Sequence, residues 1–90
     1  MRTWLIDTGP LVAYLDAGDP CHAEVAECLD RFTGDLVTTS AVITEAMHFV
    51  CGVRSGPRLL AELVTTSRIQ VYDLCRPPEV VEAAVLMEKY

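Results

Sequence analysis

The heptapeptide Trp4-Leu5-Ile6-Asp7-Thr8-Gly9-Pro10 decides the reading of this chain. Its apolar run ends in a carboxylate, and a turn leads straight into a helix that Pro10 can start. Proline fits the first helical turn because its missing N–H would have had no partner there, and Thr8 or Gly9 supplies the cap. A buried strand that delivers a carboxylate to its own C-terminal end is how open α/β sheets present catalytic or metal-binding groups. Asp is also common at such junctions as a plain turn or capping residue. The heptapeptide alone leaves both roles open.

Working outward, residues 10–16 form a short helix with Leu11, Val12 and Leu15 on one face, which Gly18 can end. Asp19-Pro20 starts a second helix, where Val25, Cys28, Leu29 and Phe32 follow helical spacing. After the turn Thr33-Gly34-Asp35, residues 36–39 read as a second strand with Ser40 as the next helix cap. The third helix covers residues 41–51. Ser55-Gly56-Pro57 opens a fourth, apolar at Leu59, Leu60, Leu63 and Val64. A third strand, residues 69–72, closes at Asp73, and Pro77-Pro78 starts a last helix carrying Val80, Val81, Ala84, Val85 and Met87. Strands alternating with helices predict a parallel sheet covered on both faces. The last helix stops at Glu88-Lys89-Tyr90 without a glycine or other closing signal and reads as cut short.

Ninety residues allow one domain with a modest core. A hydrophobic fraction of 51% is rich for that size and predicts apolar surface awaiting a partner, or a chain cut from something larger. No apolar run approaches the roughly 20 residues needed to span a bilayer. The N-terminus has no basic segment followed by a long apolar one, so the expectation is a cytoplasmic protein without a signal peptide. Cys21, Cys28, Cys51 and Cys75 form no CxxC pair and are expected to be reduced, mainly buried thiols. The net charge of −6 excludes a global basic footprint for nucleic acid. It leaves room for metal-dependent phosphodiester chemistry, in which ions and local arginines overcome the repulsion. Gly9 and Gly18 carry no phosphate-loop pattern.

The third helix holds a second carboxylate. Glu45 lies three or four residues from Ala41, Val42, His48 and Phe49, so it shares a face with largely apolar neighbours. On a helix that follows directly from a strand, it would point toward the same sheet edge as Asp7. Ionised carboxylates are rarely buried unpaired, and a divalent cation between Asp7 and Glu45 would resolve the cost. A partly exposed glutamate at the helix flank, paired with an arginine, is the plainer alternative.

Leu5-Ile6-Asp7-Thr8-Gly9-Pro10-Leu11, followed by Thr39-Ser40-Ala41-Val42-Ile43-Thr44-Glu45-Ala46, resembles the PIN domain. More narrowly, the pair of motifs is similar to that of the VapC-type toxins of bacterial toxin–antitoxin pairs. The resemblance implies a three-layer α/β/α sandwich around a parallel sheet, and a metal-dependent endoribonuclease that cleaves RNA phosphodiesters with metal-activated water. It assigns Asp7 and Glu45 as catalytic ligands of Mg²⁺ or Mn²⁺, with Thr8 and Ser40 orienting them through hydrogen bonds. It also implies an antitoxin partner, which would insert a peptide into the acidic groove, and commonly a homodimer; Tyr14 is a candidate contact for either. Arg54 and Arg58, flanking the Ser55-Gly56-Pro57 turn, are candidate RNA phosphate contacts or ordinary solvated charges.

The chain departs from the family in ending before its C-terminal strands and last acidic residues, so residues 1–90 are expected to form a single, incomplete PIN-like domain. In the family those strands lie beside the first one. Their absence would leave the edge of residues 3–7 unpaired, a hazard for so apolar a strand. A fragment, or a chain that needs another to cover that edge, is the corresponding expectation. Asp73 ends a strand but has no counterpart in the family's acidic set, and Asp16 and Asp19 read as local caps. His48 is expected to be a half-buried helix histidine and His22 a surface residue, while Trp4 and Tyr72 are expected in the core. The alternative to a nuclease is a truncated, non-catalytic interaction module that binds an antitoxin or a homologous chain. A phosphoacceptor role for Asp7 is weak, because the first strand ends in one acid rather than the acidic pair that would hold Mg²⁺.

Overall fold

The computed structural model describes residues 2–66, 69–73 and 76–89, without the side chains of Glu79 and Ala83. Cys75 and Tyr90 lie outside the described residues. The elements run β1 (Thr3–Leu5), α1 (Thr8–Leu15), α2 (His22–Arg31), β2 (Asp35–Thr39), α3 (Ser40–Val50), α4 (Gly56–Thr66), β3 (Ile69–Tyr72) and α5 (Pro77–Lys89).

The three strands form one parallel sheet in the order β1-β2-β3. Trp4 pairs with Leu36 and Leu36 with Ile69, so these side chains share a face. On that face Ile6, Leu36 and Ile69 meet Leu11 of α1, Ala46 and Val50 of α3, Leu60 of α4, and Phe32 just beyond α2. Leu11, Val50 and Leu60 are fully buried, each worth roughly 1.5–3 kcal/mol of transfer free energy. On the opposite face, Leu86 and Met87 of α5 border a small cavity with Leu5, Thr39 and Tyr72. Helices therefore flank both faces, the three-layer arrangement that the alternation of elements predicts.

The starts of α1, α2 and α3 differ from the sequence reading by one or two residues, and in α1 and α3 a preceding side chain captures the cap. Asp7, not Thr8 or Gly9, caps α1. Thr39, not Ser40, caps α3, its Oγ1 accepting from the Val42 N–H at 3.2 Å. Asp19 accepts from the Cys21 N–H at 2.8 Å and closes a turn, which delays α2 to His22. Gly34 sits where the chain passes beside Arg2: a Cβ there would lie 2.1 Å from the Arg2 carbonyl oxygen. That close approach lets the Asp35 N–H donate to the same oxygen at 2.8 Å, at the start of the β1–β2 pair.

The two histidines exchange the roles that the sequence predicts. His22 is half-buried and its Nδ1 donates to the Ala13 carbonyl at 2.8 Å, tying α2 to α1. His48 is exposed. Cys21, Cys28 and Cys51 are free thiols, but they are exposed rather than buried as expected. For Cys21 and Cys28 the reason is that α2, which Cys21 precedes and which contains Cys28, has no fully buried residue and presents much of its surface to solvent. Trp4 and Tyr72 are half-buried rather than core; Trp4 stacks on Phe32 with ring centroids 3.9 Å apart.

Candidate functional site

In a parallel sheet all strand C-termini open at one edge, and here that edge collects the polar residues. Asp7 follows β1 in an extended conformation, and its Oδ1 accepts the Thr8 N–H at 2.8 Å. This is the capping role foreseen as the plainer reading of Asp7. It occupies one of two carboxylate oxygens, and the residue remains exposed. Immediately behind it, Thr8 Oγ1 is buried and has no hydrogen-bond partner among the described groups. A buried hydroxyl without a partner costs about 1–3 kcal/mol, so a bound water or ligand beside Asp7 would relieve it.

Ser40 opens α3 directly after β2, and its hydroxyl lies 3.5 Å from Asp73 Oδ1, at the long limit of hydrogen bonding. Asp73 follows β3, as its strand-end reading expects, and the pairing of Thr39 with Tyr72 brings it opposite Ser40. Beneath them Thr38, 1% exposed, donates to the Ile6 carbonyl at 2.9 Å and fixes β2 against the residue preceding Asp7.

Glu45 is where the structure corrects the sequence argument. The core face of α3 is Val42, Ile43, Ala46, Met47 and Val50, whereas Ala41, Glu45, His48 and Phe49 form its exposed side. Glu45 is thus a solvated carboxylate, and the burial cost once offered as the reason for a cation does not arise. What remains is position: Glu45 stands five residues into α3, roughly 7.5 Å along the axis from its start. Among the described residues no three His, Cys, Asp or Glu side chains gather as a metal site. Asp7, with the unpartnered Thr8 hydroxyl behind it, fits one side of a hard-cation site, and a full oxygen set would need donors beyond these.

Arg54 and Arg58 lie past the other end of α3, a helix of 11 residues and about 15 Å. Arg58 is held locally, its Nη2 3.5 Å from Ser55 Oγ and its Nε 3.8 Å from Glu62 Oε1. Tyr14 is committed within the fold, its hydroxyl donating to Asp30 Oδ1 at 2.9 Å. Burial, then the hydrogen bond and negative charge of Asp30, push the Tyr14 hydroxyl above its ordinary pKa.

β1 is an edge strand of the described sheet, as expected. Along it runs a mainly apolar groove of about 710 Å³, bordered by Trp4, Leu5, Pro10, Leu29, Arg2 and Lys89.

The parallel three-stranded sheet, flanked by helices and with Asp7 at the end of its first strand, is a PIN-like α/β fold. Sequence and structure comparisons agree. The chain is 35% identical over 91 residues to Ribonuclease VapC26 of Mycobacterium tuberculosis (strain ATCC 25618 / H37Rv), a match covering 96% of this chain and 64% of the relative. Its fold matches the crystal structure of Mycobacterium tuberculosis VapC20, a Sarcin-Ricin loop cleaving toxin, with a TM-score of 0.73 at 19% identity, over 96% of this chain and 67% of that one. Over the matched region the chain resembles the PIN/VapC type, and it spans 64% of the length of this curated relative. No protein-family model matches it.

Proposed function

We propose that this chain carries the N-terminal half-site of a metal-dependent endoribonuclease of VapC toxin type. The observation that carries the proposal is the strand-end Asp7, exposed and backed by the unpartnered Thr8 hydroxyl, in a chain 35% identical to a ribonuclease. Asp7 and Glu45 would hold Mg²⁺ or Mn²⁺, and when bound such an ion supplies charge neutralisation at the phosphodiester and a more acidic water. The Thr8 N–H fixes one oxygen of Asp7 and so orients the other. Ser40, at the start of the helix that carries Glu45, lies beside Asp73, while Thr39 caps that helix. The remaining acidic donors would come from sequence beyond these 90 residues or from a partner chain, which would also cover the β1 edge. An antitoxin peptide and self-association are the corresponding protein partners, with Arg54 and Arg58 as outlying contacts for RNA. A cytoplasmic location fits these partners, and among the described residues no helix is long and apolar enough to cross a membrane.

A second reading, a non-catalytic PIN-like module that binds an antitoxin or a homologous chain, is favoured by the lack of a three-donor cluster among the described residues. RNA cleavage with Mn²⁺ or Mg²⁺, against EDTA, Asp7→Asn and Glu45→Gln controls, separates the two. Cutting that needs the ion and is lost in both variants supports the nuclease. A folded chain that never cuts, alone or with the longer relative's C-terminal segment added, selects the interaction module.

A further inference from the structure

We infer that Phe49 is a base-stacking residue for single-stranded RNA, selecting the nucleotide next to the cleaved linkage; this rests on the ribonuclease reading above. Of the five described Phe, Trp and Tyr side chains, four are buried or half-buried, and Phe49 alone is exposed, at 58%. Among the described aromatic rings it meets that of His48, at 67° with centroids 6.0 Å apart, and stacks in parallel on none. Phe49 stands four residues after Glu45 on the same exposed side of α3, one turn and about 6 Å further along the axis. A phosphodiester held at Glu45 would therefore bring a flanking base within reach of the ring.

The chemistry of the patch suits a nucleotide better than an apolar protein surface. Phe49 is flanked on its own face by Glu45, Ala41 and His48 rather than by other large apolar side chains. Apart from Val71 on β3, the other exposed large apolar side chains gather on α5, at Val80, Val81, Val85 and Met87. An exposed aromatic ring beside the Glu45 carboxylate and the His48 imidazole offers stacking, with a ring N–H donor for a phosphate or base edge.

The test uses the full chain with Mg²⁺ and a fluorescein-labelled single-stranded RNA, read by anisotropy, alongside cleavage kinetics. Phe49→Ala should weaken binding about 5- to 100-fold and raise KM. Phe49→Leu should lose as much, since it keeps the apolar surface but not the π-face, and Phe49→Trp should bind at least as well as the native chain. Because Phe49 is 58% exposed, thermal midpoints should stay within about 2 °C. If the native chain binds RNA and Phe49→Ala binds equally, the inference fails while the ribonuclease reading stands. Rescue by Phe49→Leu, or altered self-association in sedimentation with unchanged RNA affinity, makes Phe49 a protein contact and also overturns it. A native chain that neither binds nor cuts RNA removes the ribonuclease reading itself.

Discussion

The hydroxyl of Thr38 donates to the carbonyl oxygen of Ile6 at 2.9 Å, across the strand pair and one residue ahead of Asp7. Buried side-chain bonds of this kind hold a site by fixing the backbone beneath it. Thr38→Val conserves shape but leaves a buried carbonyl short of its donor, and should cost about 1–3 kcal/mol. Urea unfolding followed by far-UV circular dichroism would show the shift in midpoint, with Thr38→Ser losing less.

Two glycines should respond oppositely to the same substitution. Gly34→Ala would drive a Cβ against the backbone oxygen of Arg2 at the start of the β1–β2 pair, and should destabilise by more than about 1 kcal/mol. Gly9, within α1, has nothing within 4 Å of an added Cβ. Gly9→Ala should stabilise by roughly 0.5–1 kcal/mol, because alanine loses less backbone entropy in a helix. Parallel thermal melts of the two variants decide the matter.

Tyr14 adds a small contribution to stability that falls away at alkaline pH. Its pKa is raised in the folded chain, so the folded state holds the phenolic proton above the ordinary titration near 10 while the unfolded chain releases it. The contribution is whole below that pH and is lost as pH rises through the folded-state value. Tyr14→Phe should flatten the fall in stability above about pH 10. At neutral pH it should cost only about 0.5 kcal/mol, since the Asp30 bond is exposed. Denaturant titrations at pH 7, 9 and 10.5 measure both effects.

Asp7 carries two roles that substitution can part. Asn caps helices as well as Asp does, so Asp7→Asn should leave stability within a few tenths of a kcal/mol, whereas Asp7→Ala should lose about 0.5–2 kcal/mol. Both should abolish metal-dependent RNA cleavage. An Asp7→Asn chain that unfolds with the Ala variant would make the carboxylate a structural group.

Much of this fold is legible in the residues because local signals agree with the tertiary outcome. Ile69 to Tyr72 reads as a strand and is one, and Pro77 opens α5 where a proline at a first helical position should. The misreadings share a cause: sequence spacing defines a helix face but not which face meets the core. On α3 Val42, Ile43, Ala46 and Met47 turn inward, so Glu45 and Phe49, grouped with apolar neighbours by spacing, lie outside. His22 and His48 reverse for the same reason, one facing the Ala13 carbonyl and the other water. Asp7 was legible as a strand-end acid, whereas the meeting of Ser40 with Asp73 depends on residues 33 apart that only sheet pairing joins.

If Asp7 and Glu45 serve one ion, as proposed, paramagnetic broadening by Mn²⁺ should report it at both residues. Titrated into ¹⁵N-labelled chain, Mn²⁺ should broaden the amide signals of Asp7, Thr8 and Glu45 together at the lowest metal concentrations. Asp7→Asn or Glu45→Gln should each relieve the broadening at both places. Broadening that stays at one residue when the other is replaced, or that spreads over the exposed carboxylates alike, would contradict a shared site.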